Sequence, residues 1–91
     1  MSMLFTWDEN KRIANLKKHG LDLSDSVRLF DGRFTHTYPS RRDNEARFVT
    51  VGIIDDVFVA IIWTQRDDTI RLISMRRARH GEKRAYYESL V

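Results

Sequence analysis

The sequence contains no cysteine and only one proline among its 91 residues. The lack of cysteine excludes disulfide bonds, thiolate catalysis and cysteine zinc sites, and it fits a reducing compartment. With one proline and an apolar fraction of 42%, the chain has the composition of a folded protein rather than a disordered one. A chain this short provides for one modest hydrophobic core. We therefore expect a single domain over residues 1–91.

Long hydrophobic runs are also missing. The longest, Val57 to Trp63, is far too short to cross a bilayer as a helix. Residues 1–5 show neither the basic region nor the long apolar region of a signal peptide. The histidines at positions 19, 36 and 80 have no metal-ligand spacing. We therefore expect a cytoplasmic protein with no membrane contact, no bound metal and no cofactor.

Acidic residues are scarce in one segment, from Arg71 to Arg84. Glu82 is its single acid, and it carries six basic residues: Arg71, Arg76, Arg77, Arg79, Lys83 and Arg84. The segment therefore has a net charge of +5, and the rest of the chain has −2. Such concentrated positive charge is expected of a protein that binds a phosphate backbone. A solvated basic helix face is the alternative interpretation.

The apolar pattern predicts the element order β-α-α-β-β-β-β-α. The predicted strands are Leu4–Thr6, Arg33–Tyr38, Arg47–Ile54 and two apolar strands around Asp67-Asp68; the helices are Glu9–His19, a short helix capped by Ser24, and His80–Ser89. Pro39 to Glu45 is predicted to be a surface loop. The pattern indicates an α+β two-layer domain, in which helices pack on one face of an antiparallel β-meander.

The two strands around Asp67-Asp68 are central to this prediction. A two-residue turn places Arg66 opposite Thr69 and Ile62 opposite Ile73. In this register, Trp63 and Arg76 lie on the same face of the ribbon. A slip of one residue would exchange the faces.

From about Phe5 to Tyr86 the chain resembles a known family, the BrnT-type toxins. The quoted motifs are Phe5-Thr6-Trp7-Asp8-Glu9-Asn10-Lys11, Asn15-Leu16-Lys17-Lys18-His19-Gly20, Trp63-Thr64-Gln65-Arg66 and Arg71-Leu72-Ile73-Ser74-Met75-Arg76-Arg77-Ala78, followed by Glu82 and Tyr86. The resemblance implies a RelE-like fold and a ribonuclease toxin of a type II toxin–antitoxin pair. It also implies a ribbon-helix-helix antitoxin as partner, and contact with operator DNA only through that antitoxin.

Metal-independent RNA cleavage requires a base, an acid and cations that stabilise the phosphate. Arg66 and Arg76 occupy family positions and carry the forked guanidinium that suits phosphate. His19 is a candidate acid or base, although histidine at a helix C-terminus also stabilises the last carbonyl groups. Lys18 would add charge to the phosphate. His36 and His80 are weaker candidates, because either could be an ordinary surface residue.

Two further candidates have structural alternatives. Glu82 could act as the base or form an ion pair with Arg77 or Arg79. Tyr86 could stack on a base or pack the last helix against the sheet. Arg71, Arg77, Arg79 and Lys83 are expected to contact RNA. Besides the toxin, two other functions fit the basic segment: a non-catalytic nucleic-acid-binding module and a domain that docks an acidic partner.

Overall fold

The computed structural model of the chain describes residues 3–91, so Met1 and Ser2, part of the expectation about a signal peptide, lie outside the described residues. The elements are β1 (Leu4–Thr6), α1 (Glu9–His19), a 3₁₀ helix (Leu23–Phe30), β2 (His36–Arg42), β3 (Glu45–Ile54), β4 (Val57–Arg66), β5 (Thr69–Arg77) and α2 (His80–Ser89). The predicted element order and the α+β class are confirmed.

The strands form one five-stranded mixed sheet in the order β1-β5-β4-β3-β2. The pairs β2–β3, β3–β4 and β4–β5 are antiparallel, and β1 adds to the edge of β5 in the parallel direction. Two-residue turns connect the antiparallel pairs. At Asp43-Asn44 and Asp55-Asp56 both residues have positive φ, as the tight hairpin turn favoured by strand twist requires.

The prediction of a surface loop over Pro39 to Glu45 is wrong. β2 continues to Arg42 and β3 begins at Glu45, so only Asp43 and Asn44 turn the chain. Proline in strands is confined mainly to edges, bulges and first residues, because it cannot donate to a ladder. Here Pro39 lies on β2, which is an edge strand of the sheet. The predicted start of this strand at Arg33 is also early, since β2 begins at His36.

Helix α1 has the predicted bounds. The Asp8 carboxylate accepts hydrogen bonds from the backbone N–H groups of Asn10 and Lys11. These groups lie in the first turn, so no carbonyl group within the helix can accept from them. At the other end, Gly20 adopts the left-handed conformation (φ 68°) and donates its N–H to the Leu16 carbonyl. Both ends are therefore specified by local sequence.

The second helical segment differs from the prediction. It is a 3₁₀ helix, and its N-cap is Asp22, whose carboxylate accepts from the Ser24 N–H and hydroxyl. Ser24 is therefore inside the helix and does not cap it. Three residues per turn bring Leu23, Ser26 and Leu29 onto one buried face. An α-helical spacing would instead align Leu23 with Val27 and Phe30, which are only partly buried here.

The sheet is covered on both faces, so the prediction that helices pack on one face is wrong. The 3₁₀ helix covers a core formed by Leu23, Leu29, Ile61, Leu72, Met75 and their neighbours. On the opposite face, α2 contributes Tyr86 to a second core with Val49, Val51 and Ala60. The central strands are apolar on both sides, and each apolar face has to be covered.

A β-bulge in β5 changes the predicted register. Trp63 pairs with Leu72, but the next residue of β4, Ile62, pairs with Ser74, so Ile73 is the extra residue. The predicted pairing of Ile62 with Ile73 is therefore wrong. An inserted residue exchanges the faces of all side chains beyond it. Arg76 consequently lies on the α2 face, opposite to the face that carries Trp63.

We expect Ile61→Ala to lower the free energy of unfolding by about 2–5 kcal/mol, because the substitution leaves a cavity in a fully buried position. Ile13→Ala is the control, since Ile13 is 41% exposed and surface substitutions usually change stability by less than about 0.5 kcal/mol. Urea denaturation measures both values. Equal losses in the two variants would contradict the assignment of the core.

Candidate functional site

A cleft of about 600 Å³ lies on the α2 face of the sheet, between α1 and the β2–β3 hairpin. Its floor is mainly apolar: Val49, Ile62 and Ile73 form it together with Ser74. One wall comes from α1, and the other comes from β2 and β3 through Tyr38, Ser40, Arg42 and Arg47. Arg76 and Arg79 line one end of the cleft.

The lining of the cleft is positively charged. It includes six lysines and arginines and, among the described residues, no aspartate or glutamate: the basic residues are Lys11, Lys18, Arg42, Arg47, Arg76 and Arg79. His19 also lines it. Lys11 and Lys18 are seven residues apart on α1, so they lie on one face about 10 Å apart along the helix axis. A polyanion is the class of ligand that this charge distribution favours.

Hydrogen bonds near its C-terminal end hold helix α1 against β5. Arg77 donates a hydrogen bond of 2.8 Å to the carbonyl of His19. The amide of Asn15 donates to the Leu21 carbonyl at 3.1 Å and accepts from the Met75 N–H at 3.4 Å. These contacts fix the positions of Lys18 and His19, which line the cleft.

Arg76 is anchored by a buried carboxylate. Its two terminal nitrogens donate to the two oxygens of Glu82 at 2.8 and 2.9 Å. Glu82 also accepts from the Arg79 N–H at 2.7 Å and from the Tyr38 hydroxyl. The Glu82 side chain is 8% exposed and that of Arg76 is 21% exposed. This network joins β2, β5 and α2, and the partly exposed Arg76 side chain still lines the cleft.

The environment of Glu82 keeps its carboxylate ionised. Burial raises the pKa of Glu82, but the hydrogen bonds from Arg76, the Arg79 backbone and Tyr38 outweigh burial and lower the pKa to about 2. Burial, together with the hydrogen bond to Glu82, raises the pKa of Tyr38, so its hydroxyl stays protonated. A carboxylate that already accepts four hydrogen bonds is a poor proton acceptor. Its geometry indicates a role in positioning Arg76.

Two of the predicted residues, Arg66 and Arg71, lie outside this cleft. They line a smaller depression of about 160 Å³, which shares Lys11, Arg47 and Ile73 with the cleft. Glu45 bonds to both Arg66 (3.4 Å) and Arg47 (3.1 Å) there. The depression therefore extends the charged surface, but part of its charge is neutralised.

Other predicted residues are placed away from the cleft. Tyr86 is 8% exposed and packs edge-to-face on Phe34 and Phe58. Lys83 stands over the Phe58 ring at 5.7 Å. The remaining histidines have other neighbours: the His36 ring lies 2.9 Å from the Ser89 hydroxyl, and the His80 ring lies 3.4 Å from Arg84.

Sequence reasoning missed the wall formed by Tyr38, Ser40, Arg42 and Arg47. These residues were assigned to a loop or to its margins, where side chains have no fixed direction. The available signal was the Asp43-Asn44 pair, because aspartate and asparagine tolerate the left-handed conformation that a two-residue hairpin turn requires. With that turn, strand alternation places Tyr38, Ser40 and Arg42 on one face.

The fold and the site define a small α+β protein with a basic cleft suited to a phosphate-containing polymer. The chain belongs to the BrnT family, since a family model described as "Ribonuclease toxin, BrnT, of type II toxin-antitoxin system" matches residues 7–82. Comparison with curated proteins found no match. The family is one of ribonuclease toxins, and its type II system implies an antitoxin partner. Among residues 3–91, no helix is long and apolar enough to span a membrane.

We expect the stability of the protein to depend on the ionisation of Glu82. Its pKa is lowered from 4.5 to about 2 in the folded state, so ionisation contributes at most about 3–4 kcal/mol. This contribution is complete above pH 4.5 and is lost as the pH falls through 2. Glu82→Gln should therefore be less stable than wild type at pH 7, and the difference should shrink on acidification.

Chemical denaturation between neutral and acidic pH measures this difference. Glu88→Gln is the matched control, because Glu88 lies on the same helix and is exposed. A pH-independent difference between wild type and Glu82→Gln would contradict the ion-pair network.

Proposed function

We propose that this protein is a metal-independent endoribonuclease with a RelE-like fold, which cleaves RNA in the basic cleft and so arrests growth. The observation that carries the proposal is the cleft itself, which has six cationic side chains and an apolar floor in a member of a ribonuclease toxin family. Cations along the rim can bind phosphates, and an apolar floor can contact unstacked bases.

Arg76 is the residue we assign to the scissile phosphate. It lines the cleft, and Glu82 holds its guanidinium in a fixed orientation. A donor that is already positioned needs no reorganisation when negative charge develops on the phosphate oxygens. The bulge at Ile73 supports this assignment, because it directs Arg76 into the cleft rather than into the opposite core.

His19 and Lys18 are the candidates for proton transfer and for added charge. Both line the cleft on the last turn of α1. An imidazole can serve as base or acid in proton transfer. Glu82 supports this chemistry through Arg76, and Tyr86 supports it by packing α2 against the sheet.

The other residues predicted to contact RNA lie at different distances from the cleft. Arg79 lines the cleft, and Arg66 and Arg71 would hold RNA that leaves it through the smaller depression. Arg77 and Lys83 would contact more distant phosphates. The partner is proposed to be a ribbon-helix-helix antitoxin that blocks these arginines, with operator DNA bound only by the antitoxin.

A second candidate is a nucleic-acid-binding module without catalysis. The bidentate pair between Arg76 and Glu82 favours it, because such a pair can be purely structural. In that case Arg76 would stabilise the fold and RNA would bind without being cut.

Arg76→Ala should lower single-turnover RNA cleavage by about 10²–10³-fold, the usual loss when one donor to a developing negative charge is removed. The assay is run in EDTA, because the proposal assigns no role to a metal. Arg84→Ala is the matched control, since Arg84 is exposed on α2 and carries the same charge. Cleavage by Arg76→Ala at the wild-type rate would remove this residue from the active site.

Arg76→Ala also leaves Glu82 buried without its cation, which is destabilising in itself. The double variant Arg76→Ala/Glu82→Gln separates the two effects. It should regain stability in thermal unfolding but not activity. Recovery of activity together with stability would show that Arg76 acts only through the fold.

A cognate antitoxin should abolish cleavage and raise the thermal midpoint. At an antitoxin concentration of about 100 times Kd, mass action adds about 2.7 kcal/mol to stability. Each kcal/mol raises the midpoint of a domain of this size by about 4–8 °C. Differential scanning fluorimetry measures the shift, with an unrelated ribbon-helix-helix protein as control. An unchanged midpoint and unchanged cleavage would contradict the proposed partner.

A further inference from the structure

We propose that the β2–β3 end of the cleft is a subsite for a flanking phosphate of single-stranded RNA, and that Arg42 holds this phosphate. This inference rests on the proposed function only in placing the scissile phosphate at Arg76. It assigns to Arg42 a role in positioning the substrate and in selecting strands that extend beyond the cut.

The distance between Arg42 and Arg76 requires two different phosphates. Arg76 pairs with Ala60, which pairs with Val51, which pairs with His36, so these four residues form one row across the sheet. Arg42 lies six residues along β2 from His36. This corresponds to about 20 Å along the strands and about 14 Å across three strand spacings. Two arginine side chains cannot meet on one phosphate across that distance, although both line the same cleft.

The charge of Arg42 is available for a ligand. Its partner across the β2–β3 ladder is Glu45, but Glu45 bonds to Arg47 and Arg66 instead. Within residues 3–91, Arg42 forms no salt bridge. An exposed arginine at the wall of a cleft, with no carboxylate bound to it in a salt bridge, is suited to bind a phosphate.

The shape of the cleft favours a single strand. The apolar part of the floor, formed by Val49, Ile62 and Ile73, lies between Arg42 and Arg76. In a duplex the bases are stacked and paired, so they cannot contact such a floor, whereas the bases of a single strand can. The strand would place its bases on the floor and its phosphates against the cations of the rim.

Strand alternation supplies a matched control within the chain. Arg41 and Arg42 are adjacent on β2, so their side chains point to opposite faces of the sheet. Arg42 lines the cleft, and Arg41 is not among its lining residues. Arg41→Ala and Arg42→Ala remove the same charge from the same exposed edge strand.

The first experiment measures binding, and it does not depend on cleavage. A single-stranded RNA of about ten nucleotides, with 2′-O-methyl groups that prevent cleavage, is titrated with each variant in fluorescence anisotropy. Arg42→Ala should weaken binding several-fold and make the slope of log K against log salt shallower by about 0.7, the value for one phosphate contact to a single strand. Arg41→Ala should bind as wild type does. Equal affinities and slopes for the two variants would overturn the proposal.

The second experiment measures cleavage of two substrates. A dinucleotide has only the scissile phosphate, so Arg42→Ala should cleave it as fast as wild type does. For the longer single strand, Arg42→Ala should raise KM and leave kcat unchanged. A slower cleavage of the dinucleotide would place Arg42 at the reaction itself and overturn the subsite.

The two experiments separate failure of the inference from failure of the proposed function. If wild type binds the uncleavable strand but cleaves neither substrate, the ribonuclease proposal fails, and the comparison of Arg41→Ala with Arg42→Ala still decides the subsite. Thermal midpoints of both variants verify that they are folded. A duplex of the same sequence that binds as tightly as the single strand would overturn the choice of substrate class.

Discussion

The buried ion pair between Arg76 and Glu82 is the interaction on which the arrangement of the site depends. Glu82 lies in the first turn of α2, Arg76 is near the end of β5, and Tyr38 of β2 donates to the same carboxylate. The pair therefore fixes α2 on the sheet and fixes a cation beside the cleft. Removing one member of such a pair leaves an uncompensated buried charge, so folding and function are coupled here.

The bulge at Ile73 determines on which face of the sheet this ion pair lies. Without the extra residue, Arg76 would share a face with Trp63 and would meet the core beneath the 3₁₀ helix. With it, Met75 enters that core and Arg76 reaches the cleft. Bulges are often found next to active sites, where they redirect a side chain.

The cleft combines residues of two kinds. Lys18, His19 and Arg76 lie in motifs that resemble the family, and they form one wall and one end. The opposite wall comes from the β2–β3 hairpin, which none of those motifs includes. In the proposed toxin, the first group would perform the chemistry common to the family. The hairpin would then determine which RNA strands are held in place.

Local sequence was sufficient to predict the bounds of α1 and α2, because caps and periodicity act within a few residues. Asp8 and Gly20 specified one helix without reference to the rest of the chain. The basic character of the segment from Arg71 to Arg84 was also readable from the sequence, as was the family resemblance. Only the tertiary structure decided the bulge, the burial of Glu82 and the wall with Arg42, since these depend on strand pairing between distant residues. A pattern along the chain predicts which side chains share a face, but packing determines which face meets the cleft.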